Sequence, residues 1–496
     1  MWTGRRRPDR GGPARRWRPD FIASAPLPAG WRLRAARGVR HVREDSVLIG
    51  GTPLRVLTLS PRGNALVQAW LAGQPVGEER SEGLLARRLL DAGLACPDPP
   101  ARPAQALDDV TIIVPVYADP ERLRACLGAL SGGAPVIVVD DGSPDPAPIA
   151  AVARQAGARY VRHPVNRGPA AARNTGLRMV ATPLVAFVDA DCVPPRGFPG
   201  RLTQHLADPA VGLVAPRIVS SERGRGPVAA YERARAALDM GPHPSLVRPY
   251  SMVWYVPSAT MVARREALGS GFDEGLELGE DVDLVWRLHD AGWQVRYEPV
   301  VVVAHEVRAG LASWYRRRVA YNESAAPLLA RHPERVPVLF LAPRAALAWA
   351  AALCGSPAAV IALTVARAFR VRGVLAGRVP RAGARASRIA IEVTLQERRD
   401  LARALVGPWF PFALAAIAAV PGRPRRRRLA ARFGRLVGAM ALGDWIVDRP
   451  DLDPLRYAVL RVADESSRGV GIWIGCLRER DFRGLLPRPP PPASRR

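Results

Sequence analysis

Val185-Ala186-Phe187-Val188-Asp189-Ala190-Asp191-Cys192 is the stretch around which the rest of the chain is organised. Four apolar residues bounded by acids are too few for a helix core and read as a buried parallel strand that ends in two carboxylates one residue apart. In open α/β sheets ligands bind at the C-terminal edge of the strands. An Asp-x-Asp placed there can hold a hard divalent cation whose other positions take phosphate oxygens and water. Taken alone, three such residues are equally compatible with a polar strand-to-loop turn.

Outward from this stretch, strands and helices alternate. Thr111-Ile112-Ile113-Val114-Pro115-Val116-Tyr117 reads as a buried strand, and Asp119-Pro120 then supplies an N-cap and a proline at the first helical position. Leu123, Cys126, Leu127 and Leu130 give the apolar face of the next helix. Val136 to Val139 is a second strand that closes on Asp140-Asp141-Gly142-Ser143, and Arg159 to Arg162 is a third, followed by Asn166-Arg167-Gly168 and Ala172-Arg173-Asn174. The alternation predicts an α/β unit built on a doubly wound parallel sheet. Its strand ends present Tyr117, Asp140 with Asp141, and Asp189 with Asp191, which points to a nucleotide and metal site. No Gly-x-Gly-x-x-Gly follows the first strand, against a dinucleotide oxidoreductase.

A second half follows. In Gly279-Glu280-Asp281-Val282-Asp283-Leu284, the residues Leu284, Val285 and Leu288 give a helical face, so Asp281 stands at a helix start, as a capping carboxylate or as a base. Val300 to Ala304 is a strand ending in His305-Glu306. Trp314-Tyr315-Arg316-Arg317-Arg318 with Tyr321 is either a solvated basic helix or a lid over acceptor and phosphate.

At 496 residues and 48% hydrophobic content, the chain is long enough for two or three domains with full cores, which excludes a disordered protein. Lys+Arg 72 against Asp+Glu 45 gives +27, and with no lysine in the sequence all of the positive charge is arginine. The clusters Arg5 to Arg7, Arg15 to Arg18 and Arg425 to Arg428 lie at the terminus or beside apolar segments, and no basic helix is interleaved with aromatics. That favours a membrane surface over nucleic acid. Five scattered cysteines without Cys-x-x-Cys fit reduced thiols in a cytosolic setting, and no apolar run before Phe21 suggests a secretory signal.

Residues 1–20 read as a disordered basic lead. Residues 21–100 form a small winged-helix-like module of two short β runs and two helices, either a binding unit or a structural cap. A proline-rich linker from Cys96 to Ala106 leads into the α/β unit, 108–335. In 336–470, Ala345 to Ala366 is 22 residues without a charge and Ala404 to Gly422 is 19, each long enough to cross a bilayer. Arginine on both flanks gives no orientation, and a hairpin, a pair of interfacial helices or buried globular helices all fit. Residues 471–496 read as a Pro/Arg tail.

The succession Pro115-Val116-Tyr117, Asp140-Asp141-Gly142-Ser143, Asn166-Arg167-Gly168, Ala172-Arg173-Asn174 and Asp189-Ala190-Asp191 resembles the family 2 glycosyltransferases, inverting enzymes with the A-type nucleotide-sugar-binding fold. The resemblance implies that Pro115, Tyr117, Asp140, Asp141, Asn166, Arg173 and Asp189 surround a nucleotide-diphospho-sugar donor. It further implies that Asp191, with Asp189 and His305, holds Mn²⁺ or Mg²⁺, and that Asp281, beside Glu280, is the catalytic base. The order of the whole chain, with Gly50-Gly51-Thr52-Pro53 and Leu90-Asp91-Ala92-Gly93-Leu94 ahead of the catalytic unit and Val319-Ala320-Tyr321-Asn322-Glu323-Ser324-Ala325 within it, resembles the mycofactocin-system glycosyltransferases of actinobacteria. That resemblance implies a peptide-derived mycofactocin precursor as acceptor, β-linked glucose from UDP-glucose as the added sugar, an N-terminal module that docks the peptide, and a membrane location with the catalytic unit on the cytoplasmic side. Two other readings stay open: a membrane enzyme of polysaccharide or glycolipid synthesis, for which the Gln-x-x-Arg-Trp motif of processive enzymes is absent, and a non-catalytic peptide-binding scaffold.

Overall fold

Short apolar runs and turn glycines build the first unit from residue 25 onward. The computed structural model describes residues 25–42, 46–51, 55–100, 109–221, 224–306, 310–335, 339–377 and 381–488. The basic lead and most of the linker lie outside the described residues, as does the end of the tail. Strand β1 (Arg32–Ala35) pairs antiparallel with the unit's last strand, and β2 (Arg40–Val42), β3 (Val47–Gly50) and β4 (Arg55–Thr58) form an antiparallel meander. Helix α1 (Pro61–Leu71) starts at Ser60, whose hydroxyl accepts the Gly63 N–H, and α2 (Arg80–Asp91) stops before Gly93, a positive-φ residue at +67°. Strand β5 (Ala95–Asp98) occupies the start of the predicted linker, because pairing with β1 supplies partners that no local window reveals.

The catalytic unit runs β6 (Val110–Val116), α3 (Pro120–Leu130), β7 (Val136–Asp140), α4 (Ala147–Gln155), β8 (Arg159–Arg162), α5 (Pro169–Arg178), β9 (Leu184–Val188), β10 (Cys192–Val193), α6 (Gly200–His205), β11 (Val211–Ser220), α7 (Pro227–Arg235), β12 (Ser245–Val247), β13 (Thr260–Arg264), α8 (Arg265–Leu268), α9 (Glu280–Asp290) and β14 (Gln294–His305). Asp119 caps α3 by accepting the Arg122 N–H, as Asp119-Pro120 predicts. Eight strands lie in the order β10-β14-β11-β13-β9-β6-β7-β8, and β12 pairs with β14. Ile112, Val114, Val138, Ala186 and Val188 pack on one face, and Ile113, Ile137, Val139, Val185 and Phe187 on the other. Both faces are covered, so these strands read as unbroken apolar runs rather than alternating ones.

The sheet is mixed, which corrects the expectation of a parallel one. β9, β6, β7 and β8 run parallel, as do β11 and β14, but β13 is antiparallel to both of its neighbours, β9 and β11. A fully buried strand carries the same apolar residues in either direction, so its sequence does not encode its sense.

Beyond residue 310 the chain is helical: α10 (Leu311–Glu323), α11 (Ala325–Arg331), α12 (Pro343–Cys354), α13 (Ala358–Leu375), α14 (Ala382–Val406), α15 (Phe410–Ala419), α16 (Arg423–Asp448) and α17 (Pro454–Glu479). Neither of the two long apolar stretches forms a single unbroken helix. Gly355, at φ +116°, ends α12 and Pro357 precedes α13, which splits the first apolar stretch. The second breaks at Gly407-Pro408, where α14 and α15 meet at 85°. Among the described residues no single helix is long and apolar enough to cross a membrane, and only that bent pair passes by length and composition. Helix α17 runs to Glu479, into the segment read as tail. Its Gly471 and Gly475 let α10 approach, since a Cβ there would stand 2.3 Å from the Val319 carbonyl and 2.4 Å from that of Glu323.

The first unit is locked to the catalytic unit. Arg87 of α2 and Asp208, just after α6, form a 2.5 Å ion pair with 2% and 1% of the side chains exposed. Arg87 also donates to the Ala25 carbonyl, and Arg248 donates to that of Asp91. On another side, Val47 and Ile49 of β3 pack against Leu375 and Ala386 of α13 and α14. Removing one partner of a buried pair strands the other charge, so Arg87→Met is expected to cost about 3–5 kcal/mol, measured by denaturant unfolding. A loss below about 1 kcal/mol, typical of exposed pairs, would show that Asp208 is not held by Arg87 alone.

Candidate active site

The strand ends place the predicted donor residues side by side. Pro115 lies in β6, and Tyr117 follows with 51% of its surface exposed. Asp140 and Asp141 at the end of β7 are buried and engaged. Asp140 accepts from the Ser143 N–H and the Tyr160 hydroxyl, while Asp141 accepts from the Arg167 and Gly168 N–H groups and sits 2.7 Å from His163 Nδ1. These bonds tie the loop after β7 to the loop carrying Asn166, which is exposed. Gly142, at φ +75°, passes so close to the Val165-Asn166 backbone that a Cβ would lie 2.4 Å from it. Only glycine fits that crossing.

Arg173 joins the two halves of the unit. Its guanidinium donates to Asp189 at 2.6 Å and to Glu280 at 2.8 Å, across 107 residues of chain in the second case, and lies 5.4 Å over the Phe272 ring. Burial would lower its pKa, but the charges of Asp189 and Glu280 outweigh that and hold Arg173 firmly cationic.

The acidic pair at the start of α9 divides its labour. Gly279 precedes the helix at φ +85°, with Leu328 and Ser324 3.0 Å from where a Cβ would stand, so only glycine presents the pair in this way. Glu280 accepts from Arg173 and from the Ser258 hydroxyl. Asp281 accepts only backbone N–H groups, from Ser258 at 3.2 Å and from Val282 at 2.8 Å, and no ion pair at 4 Å or less reaches it. Burial, and then the adjacent Glu280 charge, push Asp281 up to about 7. A carboxylate poised there is matched to proton abstraction near neutral pH. Asp283, one turn on, is tied to Arg287 and His332.

Asp191 leads into β10, whose pairing with β14 sets Cys192 opposite His305 and brings His305 Nε2 to 3.3 Å from the Asp191 carboxylate. Burial would raise Asp191, but the bond to His305, its charge and that of Arg122 hold it below the usual carboxylate range. Among the described residues no three acidic, histidine or cysteine side chains close into a cage. The oxygen and imidazole donors of Asp191 and His305, with Asp189 nearby, nonetheless suit Mn²⁺ or Mg²⁺, which ordinarily keep several positions for water and phosphate. Asp189 itself is raised, by burial first, with Arg173 opposing.

Thus Asp189, Arg173, Glu280 and Asp281 form one continuous cluster with Ser258, and Asp191 with His305 forms the adjoining edge. Sequence reasoning missed Ser258 and His163. Ser258 ends an irregular loop before β13 and carries no periodic signal, while His163 follows β8 without a motif around it.

Residues 111–270 match the family model described as Glycosyl transferase family 2. Over 481 residues the chain is 39% identical to the pre-mycofactocin glycosyltransferase of Mycobacterium tuberculosis, in two strains, covering 93% of this chain and 98% of the relative. The chain belongs to the mycofactocin-system family 2 glycosyltransferases. The transferase is also 33% identical over 204 residues to the succinoglycan biosynthesis protein ExoU of Rhizobium meliloti, covering 37% of this chain and 58% of that one. A solved mannosyltransferase from Pyrobaculum calidifontis, in complex with GDP-Man and Mn²⁺, aligns with 76% of this chain and 89% of its own at 21% identity and a TM-score of 0.42, which is too distant to add to the argument.

With Asp281 at about 7, a base role for it requires the ionised form, and turnover is then expected to rise through pH 7 and level off above it. Measured as kcat/KM against pH, the rising limb should vanish in Asp281→Asn. An unchanged limb in that variant would assign it to another group.

Proposed function

We propose that this transferase moves a sugar from a nucleotide-diphosphate donor to the peptide-derived mycofactocin precursor with inversion, adding β-linked glucose from UDP-glucose. The observation that carries the reading is Asp281: half-buried, without an ion pair at 4 Å or less among the described residues, pushed up to about 7, and placed beside the Arg173 bridge to the Asp-x-Asp edge. Inversion needs one carboxylate. Asp281 takes the proton of the acceptor hydroxyl as its oxygen attacks the anomeric carbon, and the bond to the diphosphate breaks on the opposite side with its electron pair. Arg173 and the Ser258 hydroxyl occupy Glu280, which leaves Asp281 to accept the proton. Asp191 and His305, with Asp189, would hold Mn²⁺ or Mg²⁺, which neutralises the charge gathering on the departing diphosphate.

The module at 21–100 is proposed to hold the acceptor peptide. Its buried lock to the catalytic unit supports a fixed path from a docked peptide to Asp281.

We further propose that the chain works at the cytoplasmic face of a membrane, resting on it rather than crossing it. Helix α15 has no buried residue and exposes Phe410, Phe412 and Leu414, and Arg423 and Arg425 to Arg428 follow at once at the start of α16. An apolar helix beside an arginine cluster suits an anionic lipid surface.

Purified protein with Mn²⁺, the precursor and a panel of nucleotide sugars, followed by mass spectrometry of the product, tests the reaction. Asp281→Asn should lower kcat by ~10² to 10⁴ while donor affinity holds, and Asp191→Asn should cost at least ~10². Near-normal kcat in Asp281→Asn removes the base, and full turnover in EDTA removes the metal. For the membrane, vesicles of anionic lipid should retain the wild type and release a Phe410→Ser/Phe412→Ser double variant, and equal retention of the two would discard this surface.

A further inference from the structure

Beside His305 a cleft opens at the C-terminal ends of β11 and β14, lined among others by Ser220, Glu232, His305, Arg317, Arg318 and Tyr321. Three consecutive arginines on α10 stand in three different situations around it. Arg318 is spent: it pairs with Glu232 and with Asp464, donates to the Arg235 carbonyl and lies 5.6 Å over the Trp314 ring. Arg316 is exposed and reaches only the Ala312 carbonyl of its own helix. Arg317 lines the cleft, is half-buried, and has no salt bridge within 4 Å among the described residues. A partly desolvated guanidinium without a counterion is costly unless an anion completes it.

The position of the cleft says which anion. His305, on its wall, is 3.3 Å from the Asp191 carboxylate, so the cleft abuts the edge proposed to hold the cation and the diphosphate. In the sheet, the nucleoside loops of β6 and β7 lie on one side of β9 and its Asp-x-Asp, and the cleft of β11 and β14 lies on the other. The phosphate farther from the nucleoside is therefore the one that faces the cleft.

Resting on the glycosyltransferase reading, we propose that Arg317, with the Tyr321 hydroxyl beside it, binds the sugar-bearing phosphate of the donor and stabilises the leaving group. As the bond between the anomeric carbon and the phosphate oxygen breaks, its electron pair goes to the diphosphate. Arg317 neutralises that charge and transfers no proton. Charge-assisted bonds from arginine to phosphate are among the strong ones, and a group that meets charge as it develops raises kcat.

The experiment compares the full chain with Arg317→Gln, Arg317→Lys and Arg316→Gln, titrating UDP and UMP in the presence of Mn²⁺ and measuring turnover of the sugar donor. Arg317→Gln should bind UDP about tenfold or more weakly, keep its UMP affinity, and lose ~10² in kcat, whereas Arg317→Lys should recover part of both and Arg316→Gln should match the wild type. Its melting temperature should not move, since Arg317 belongs to no ion-pair network. Wild-type UDP affinity and kcat in Arg317→Gln overturn the assignment, as does an equal loss for UDP and UMP. A rise in acceptor KM alone would give the cleft to the acceptor and overturn it as well. If the wild type binds no nucleoside diphosphate and turns over no nucleotide sugar, the glycosyltransferase reading itself falls, a result distinct from these.

Discussion

The whole site depends on one buried cation. Arg173 on α5 holds Asp189 at the end of β9 and Glu280 at the start of α9, so the half with the Asp-x-Asp edge and the half that carries Asp281 are fastened by a single guanidinium. Arg173 stays cationic between the two carboxylates and opposes the upward pull of burial on Asp189, while the next carboxylate, Asp281, forms no ion pair among the described residues and rises to about 7. Two adjacent acids are thereby set in different surroundings, Glu280 held by the guanidinium and Asp281 by backbone N–H groups, by geometry alone. The planar fork of arginine suits this bridge, because two parallel donors address two carboxylates at once.

The same device recurs outside the site. In the C-terminal helices Arg461 lies between Asp444 and Glu465, Arg403 reaches Glu465 from α14, and Arg399 reaches Asp444. The charges of Arg403 and Arg461 hold Glu465 well below the usual carboxylate range, against the opposing pull of burial. These helices are thus joined largely through arginine, which remains charged when buried, where lysine would lose its proton. Through Arg318 and its partners Glu232 and Asp464 the network extends to α10, and so to the wall of the cleft beside His305. The helical region and the catalytic edge are therefore joined, and α10, read from sequence as either a basic helix or a lid, is a packed helix with Arg317 and Arg318 on the wall of the cleft.

The chain's own letters determined a good deal. Continuous apolar runs such as Val185 to Val188 read as strands covered on both faces, and Asp119-Pro120 reads as the start of a helix, so the α/β class and the strand-end acids were legible. Local chemistry sufficed for these because each is a matter of a few neighbouring residues. What the tertiary structure alone decided are relations over long separations: the antiparallel sense of β13, the pairing of β10 with β14 that sets His305 against Asp191, the bond from Ser258 to Glu280, and the break of both long apolar stretches into packed or bent helices. Sequence patterns count apolar residues, but whether a run becomes a span, a bent pair or a buried helix depends on where Gly355, Pro357 and Gly407 let it turn and on what then covers it. The unequal surroundings of Glu280 and Asp281 are of the same kind, since they follow from which of two adjacent carboxylates an arginine 107 positions away from Glu280 reaches.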